Sequence, residues 1–116
     1  MSAGTSDTGA TRRSELERNL EHYVRYLTLE RGRSVHTIAA YRRDLAGYLD
    51  YLADHGVTES GAVSFSHVQA YVESLQGVAT TVARKVSSIK NFHRYLVDEK
   101  VVIDDVSARV VPPALP

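Results

Sequence analysis

Cysteine is absent from this chain, which removes disulfides, thiolate metal sites and cysteine nucleophiles together and fits a cytosolic protein. A secreted scaffold stapled by disulfides is excluded. Long apolar runs are missing too. None approaches the ~20 residues needed to span a bilayer, and the opening MSAGTSDTGATRR lacks the apolar core of a signal peptide. A soluble, cytoplasmic chain without membrane contact is expected. An excess of charge of one sign is also missing: 14 Lys and Arg balance 14 Asp and Glu. No global attraction to nucleic acid follows, and any basic surface has to be local.

What is present suits one globular domain, since 43% of the 116 residues are apolar. Residues 1–13 are mostly Ser, Thr, Gly and Ala and are expected to form a disordered tail. Ser14 followed by Glu17 is a capping-box pattern, and Leu16, Leu20, Tyr23, Val24 and Leu27 then recur at helical spacing up to Arg31-Gly32. A first helix is predicted over about 15–30. Ser34 opens a second, with Thr37 behind it and a stripe of Ile38, Tyr41, Leu45, Tyr48, Leu49 and Leu52 that ends at His55-Gly56. Residues 56–65 read as a loop in which Val57 and Val63 could serve as core anchors.

Ser66 with Gln69 then predicts a short third helix closed by Gly77. Thr80 or Thr81 is expected to cap the fourth, over about 80–99, with Val82, Val86, Ile89, Phe92, His93 and Leu96 on one side. Val101 to Ile103 is a short apolar run, and Asp104-Asp105 and Pro112-Pro113 suggest that 101–116 is an exit linker. No period-two pattern competes. The expected fold is an all-α, four-helix bundle over 14–100, because each helix has one apolar stripe for the others to cover.

The charge is unevenly spread. Residues 78–100 hold five cations, Arg84, Lys85, Lys90, Arg94 and Lys100, against Asp98 and Glu99, a net of +3. Residues 56–77 hold only Glu59 and Glu73. At about 100° per residue, Arg84, Ser87, Ser88, Asn91 and Arg94 fall opposite Val82, Val86 and Ile89, with Lys85 and Lys90 on the flanks. Such a helix fits the major groove of B-DNA, its cations neutralising phosphates and its Ser, Asn and Arg hydrogen-bonding to phosphates or base edges. The backbone amides at the Thr80-Thr81 end suit a phosphate as well. The bland alternative is a solvated face, common on surface helices.

The second helix offers His36 and Arg43 away from its apolar stripe, with Arg42 beside them, while Asp44, Asp50 and Asp54 make its later turns acidic. Only its N-terminal half suits DNA. For Arg42 and Arg43 the alternative is pairing with carboxylates of the same helix. The five histidines never fall in an HxxxH or HExxH pattern, so neither a metal nor another cofactor is expected. His93 reads as a hydrogen-bonded core residue, and Tyr23, Tyr41, Tyr48 and Tyr71 read as core or core-edge residues. No phosphate loop, Ser/His/Asp set or paired acids stand out.

The segments LERGRSVHTIAAYRRDLAGYLDYL (29–52) and TTVARKVSSIKNFHRYLVDEKVV (80–102) together resemble the N-terminal core-binding domain of tyrosine site-specific recombinases of the Xer type. Ser34, Thr37, Tyr41, Arg42, Arg43, Asp44 and Leu45 match the first motif. Ala83, Arg84, Lys85, Ser88, Lys90, Phe92, Tyr95 and Leu96 match the second. The likeness extends over about 14–113, with departures at Gly77-Val78-Ala79 and at Asp104-Asp105-Val106. It implies a SAM-like domain forming half of a clamp on DNA, with the second and fourth helices toward the major groove. The catalytic domain that cleaves DNA through a phosphotyrosyl link would be elsewhere, and SARVVPPALP resembles the linker toward it.

The expectation is a DNA-binding domain without catalysis of its own, from a parent tyrosine recombinase acting in chromosome dimer resolution or integration. Duplex DNA at a recombination site and other recombinase subunits are the implied partners, and the isolated domain is expected to be monomeric. The candidate DNA contacts are Arg84, Lys85, Lys90 and Arg94, with Ser87, Ser88 and Asn91 as hydrogen-bonding partners, and His36, Thr37, Arg42 and Arg43 from the second helix. Thr37 could instead only support the helix cap. The alternative function is a helical protein-interaction module that docks a partner through its tyrosines and the apolar stretch 101–111.

Overall fold

The computed structural model describes residues 13–114. The tail expected over 1–13 therefore lies, Arg13 aside, outside the described residues. Helix α1 spans Glu15–Leu29, α2 Val35–Asp54, α3 Phe65–Ser74 and α4 Ala79–Asp98, with a single 3-10 turn at Ser60–Ala62. No strand occurs among the described residues. The all-α, four-helix reading holds.

Two helix starts follow the sequence signals and two do not. At α1 the Ser14 hydroxyl accepts from the Glu17 N–H and the Glu17 carboxylate accepts from the Ser14 N–H, so the capping box forms as expected. At α2 the Ser34 hydroxyl accepts from the Thr37 N–H and donates to the Thr37 hydroxyl. Helix α3 starts earlier than Ser66. Its cap is Ser64, whose hydroxyl accepts from the His67 N–H, while His67 Nδ1 accepts from the Ser64 N–H at 3.0 Å. A ring nitrogen thus does the work of the usual Glu or Gln.

Gln69, assigned to that role from the sequence, instead bridges to the C-terminal segment. Its Nε2 donates to the Val111 carbonyl and its Oε1 accepts from the Val111 N–H. At α4 neither threonine is the cap. Gly77, at φ +121°, turns the chain so that Val78 becomes the N-cap with no side-chain bond, which leaves Thr80 and Thr81 inside the first turn.

The helix ends show one motif twice. After α2 the Val57 N–H bonds to the Leu52 carbonyl and the Gly56 N–H to Ala53; after α4, Val101 bonds to Leu96 and Lys100 to Val97. Gly56 and Lys100 both occupy the left-handed region, at φ +78° and +61°, as this termination requires.

Helix α1 packs on α2 and α4, α2 packs on α4, and α3 lies against α2. The apolar stripes meet in one core centred on Tyr48, Phe92, Leu45, Leu52 and Leu96, all fully buried. Val57 and Val63 are buried as loop anchors. Asn19 is buried at the far end, donating to Glu15 and to Ser60, whose own N–H donates to Glu15. Beyond α4 the chain turns back: Val102 and Val106 pack on the core, and Ser107 and Val110 are buried. The first part of the stretch assigned to a linker is thus fastened to the bundle.

Candidate nucleic-acid interface

The seam between α2 and α4 is held by an ion pair that neither helix foretells alone. Asp44 is buried on α2, and its carboxylate accepts from Arg84 Nε at 2.8 Å and from Arg84 Nη2 at 2.9 Å. Ser88 Oγ lies 3.4 Å from the same carboxylate, a long contact. The Asp44 hydrogen bonds raise the Arg84 pKa further above its ordinary high value, against a smaller opposing effect of desolvation. The later turns of α2, expected to be acidic, therefore lose Asp44 to the interior, while Asp50 and Asp54 remain exposed.

This pair orients both helices. On a helical wheel Asp44 lies about a quarter-turn from the middle of the α2 core stripe, and Arg84 and Ser88 lie about a third of a turn or more from the middle of the α4 stripe. His36, Arg43 and Gly47 of α2 and Thr80, Ser87, Asn91 and Arg94 of α4 are exposed, and Ala40 is half-buried. Arg84 has 40% of its side chain exposed. Lys85 and Lys90 are half-buried on the flanks of α4.

Several sequence-derived candidates change character. Ser88 is buried, so it supports Asp44 rather than standing opposite the core. Its spacing from Arg84 is one helical turn, but the extra rotation turns it into α2. Thr37 is half-buried and its hydroxyl is engaged by Ser34, in keeping with a role in the cap. Arg42 pairs with Glu21 of α1, across helices rather than within its own, and Arg43 makes no ion pair among the described residues. Because α4 starts without a side-chain cap, its first amides stay available to solvent or to an anion.

Two further cations join this surface. Arg31 and Arg33, in the connection after α1, line a groove with Tyr26, Asn91, Arg94 and Asp98. Both arginines are exposed. These two arginines are not singled out as a site by the sequence reading, and it is the packing of α1 on α4 that brings them to the groove lined by Arg94. Among the described residues no group of His, Asp and Glu is arranged to hold a metal ion, and no helix is long and apolar enough to cross a membrane.

The family model of the phage integrase N-terminal SAM-like domain matches residues 20–100. Among curated proteins, the chain is 35% identical over 102 residues to the tyrosine recombinase XerD of Oceanobacillus iheyensis, covering 84% of this chain and 34% of that protein. It is 34% identical over 96 residues to XerD of Bifidobacterium longum, covering 80% and 31%. With XerD of Staphylococcus aureus strain Mu50 the identity is 36% over 93 residues, covering 78% and 32%. The chain thus spans about a third of the length of these relatives. No solved structure matches it significantly. The matched stretch runs from inside α1 to just past α4 and takes in both α2 and α4, and on that match the chain belongs to the phage integrase N-terminal SAM-like domain family.

Proposed function

We propose that this chain is the DNA-binding N-terminal domain of a Xer-like tyrosine recombinase, forming half of a clamp around the recombination site. The observation that supports this most is the exposure of His36 and Arg43 on α2 and of Asn91 and Arg94 on α4, two helices joined by the Asp44–Arg84 pair, in a chain of zero net charge. Arg43 and Arg94 neutralise phosphates, Lys90 approaches from the flank, and Ser87 and Asn91 donate to the backbone or to base edges. Residues 14–100 form the DNA-binding unit, and 101–116 lead toward a catalytic domain. That domain carries out strand breakage and rejoining in the full-length enzyme, in the cytoplasm and together with other recombinase subunits, while this chain catalyses nothing by itself.

Titration of mixed-sequence duplex DNA across salt concentrations tests the reading. Binding should weaken steeply with salt, and Arg43→Ala and Arg94→Ala should each lower the log–log slope by about one. Glu73→Ala, on the exposed side of α3, should change neither affinity nor slope. No binding at low salt, or a slope untouched by both arginine changes, would sink the assignment. The same protein should yield no covalent adduct with a suicide duplex substrate, and an adduct on any tyrosine would overturn the division of labour. The protein-interaction alternative is less well supported, because Tyr23, Tyr26 and Tyr95 pack on one another and Tyr48 and Tyr51 each pack on Tyr71.

A further inference from the structure

The two arginines with carboxylate partners, Arg42 and Arg84, are not equivalent. Arg42 meets Glu21 through one nitrogen, with both side chains partly exposed. Arg84 is gripped along one whole edge by a carboxylate whose side chain is only 3% exposed. A guanidinium has five N–H groups in a planar fork. Asp44 takes the Nε hydrogen and one on Nη2. The end-on edge, made of Nη1 and the second Nη2 hydrogen, is left unused among the described residues, and the head is held at the seam between α2 and α4.

Two kinds of acceptor on DNA fit such an edge, a pair of phosphate oxygens or the O6 and N7 atoms of guanine. Charge decides between them. Paired with the buried Asp44, Arg84 adds no net charge to the surface, so it displaces few counterions and gains little from a phosphate. Its directional hydrogen bonds are undiminished, and its side-chain freedom has already been given up on folding, which lowers the entropic cost of a precise contact. We infer that Arg84 is a specificity-determining residue that reads a guanine edge in the major groove, and that Asp44 is the positioning residue that aims it. This rests on the DNA-binding reading above and assigns Arg43 and Arg94, which make no ion pair among the described residues, to phosphates.

The test is selection of bound duplexes from a random-sequence pool by the 116-residue chain, followed by sequencing, with salt titrations on a mixed-sequence duplex alongside. The wild type should enrich guanine at one position by roughly tenfold, the scale of one good bidentate base contact. Arg84→Lys keeps the charge and loses the fork, so it should lose that enrichment alone, with preferences elsewhere and the salt slope unchanged. Asp44→Asn should lose the same enrichment although Arg84 is still present. Because a change at a buried carboxylate can impair folding, Arg84→Lys, at a partly exposed side chain, carries the test if Asp44→Asn fails to fold.

An Arg84→Lys variant that retains the guanine preference overturns the proposal. So does a folded Asp44→Asn variant that retains it, or an Arg84→Ala variant that weakens all duplexes alike and lowers the salt slope by one. A wild type that binds no duplex at low salt fails the DNA-binding reading itself. A wild type that binds with a salt slope set by Arg43 and Arg94, but without any guanine preference, fails only the present inference.

Discussion

Tyr48 and His93 meet 2.7 Å apart, hydroxyl to Nε2, in the centre of the bundle where both side chains are fully buried. Burial lowers the His93 pKa to about 4, with the Asp105 carboxylate opposing the shift, and burial also pushes the Tyr48 hydroxyl far up. The folded protein therefore keeps His93 neutral where an unfolded chain, with a histidine near its ordinary value of about 6.5, takes up a proton. Stability then falls as pH drops from about 6.5 toward 4 and is insensitive to this group above that window. The loss at pH 5 relative to pH 7 should be about 2 kcal/mol, measured by denaturant unfolding. His93→Gln should flatten this limb, and an unchanged slope in that variant would place the proton on another histidine. His93 was legible as a core residue from its place on the apolar side of α4. Its partner, 45 positions away, was not, because helical spacing carries no information about which residue of another helix sits opposite.

Helix starts depend on atoms within four residues, so they are the features that local pattern should capture, and α1 and α2 bear this out. Helix α3 does not, because His67 supplies an acceptor nitrogen where a search for Glu or Gln passes over it. The difference is measurable. Ser64→Ala should cost about 1 kcal/mol of stability, whereas Ser66→Ala, an exposed change inside the first turn, should stay within about 0.5 kcal/mol. Denaturant midpoints of the two variants in the reverse order would return the cap to Ser66. The helix ends tell a complementary story. Gly56 announces the left-handed residue that ends α2, while Lys100 adopts the same region at the end of α4 with no glycine to mark it, held there by the two bonds of the same motif.

At the scale of the whole molecule, the bundle is not closed by its four helices alone. Val102, Val106 and Val110 pack on the core from beyond α4, the Asp105 carboxylate accepts from both the N–H and the hydroxyl of Ser107, and Gln69 ties down Val111. Ending the chain at Lys100 should therefore lower its unfolding free energy by at least about 2 kcal/mol, the scale of burying one or two valines. Removal of residues 1–12 is the comparison. Equal midpoints for the shortened and full-length chains in denaturant would mean that the C-terminal segment contributes nothing to the core. Composition pointed the other way here: two adjacent prolines and two adjacent aspartates read as a linker, because the stretch between them is too short to register as an apolar stripe.

What the sequence determined by itself is everything that repeats every three or four residues. The four helices and their core faces follow from spacing, since a helix buries one side whatever it packs against, and the cationic character of α4 follows from its charge count. The family likeness came from the same two segments. What only the tertiary structure decided is which polar residues stay outside. Ser88 was placed opposite the core by rotation, and Asp44 was counted among the charges that make the later turns of α2 acidic. They are buried because α2 and α4 cross at that level, where a carboxylate can leave water only by capturing the fork of Arg84. The same crossing separates an arginine already satisfied along one edge from Arg43 and Arg94, which have no carboxylate partner among the described residues. Residue type and spacing make these three alike, and the contact between helices makes them different.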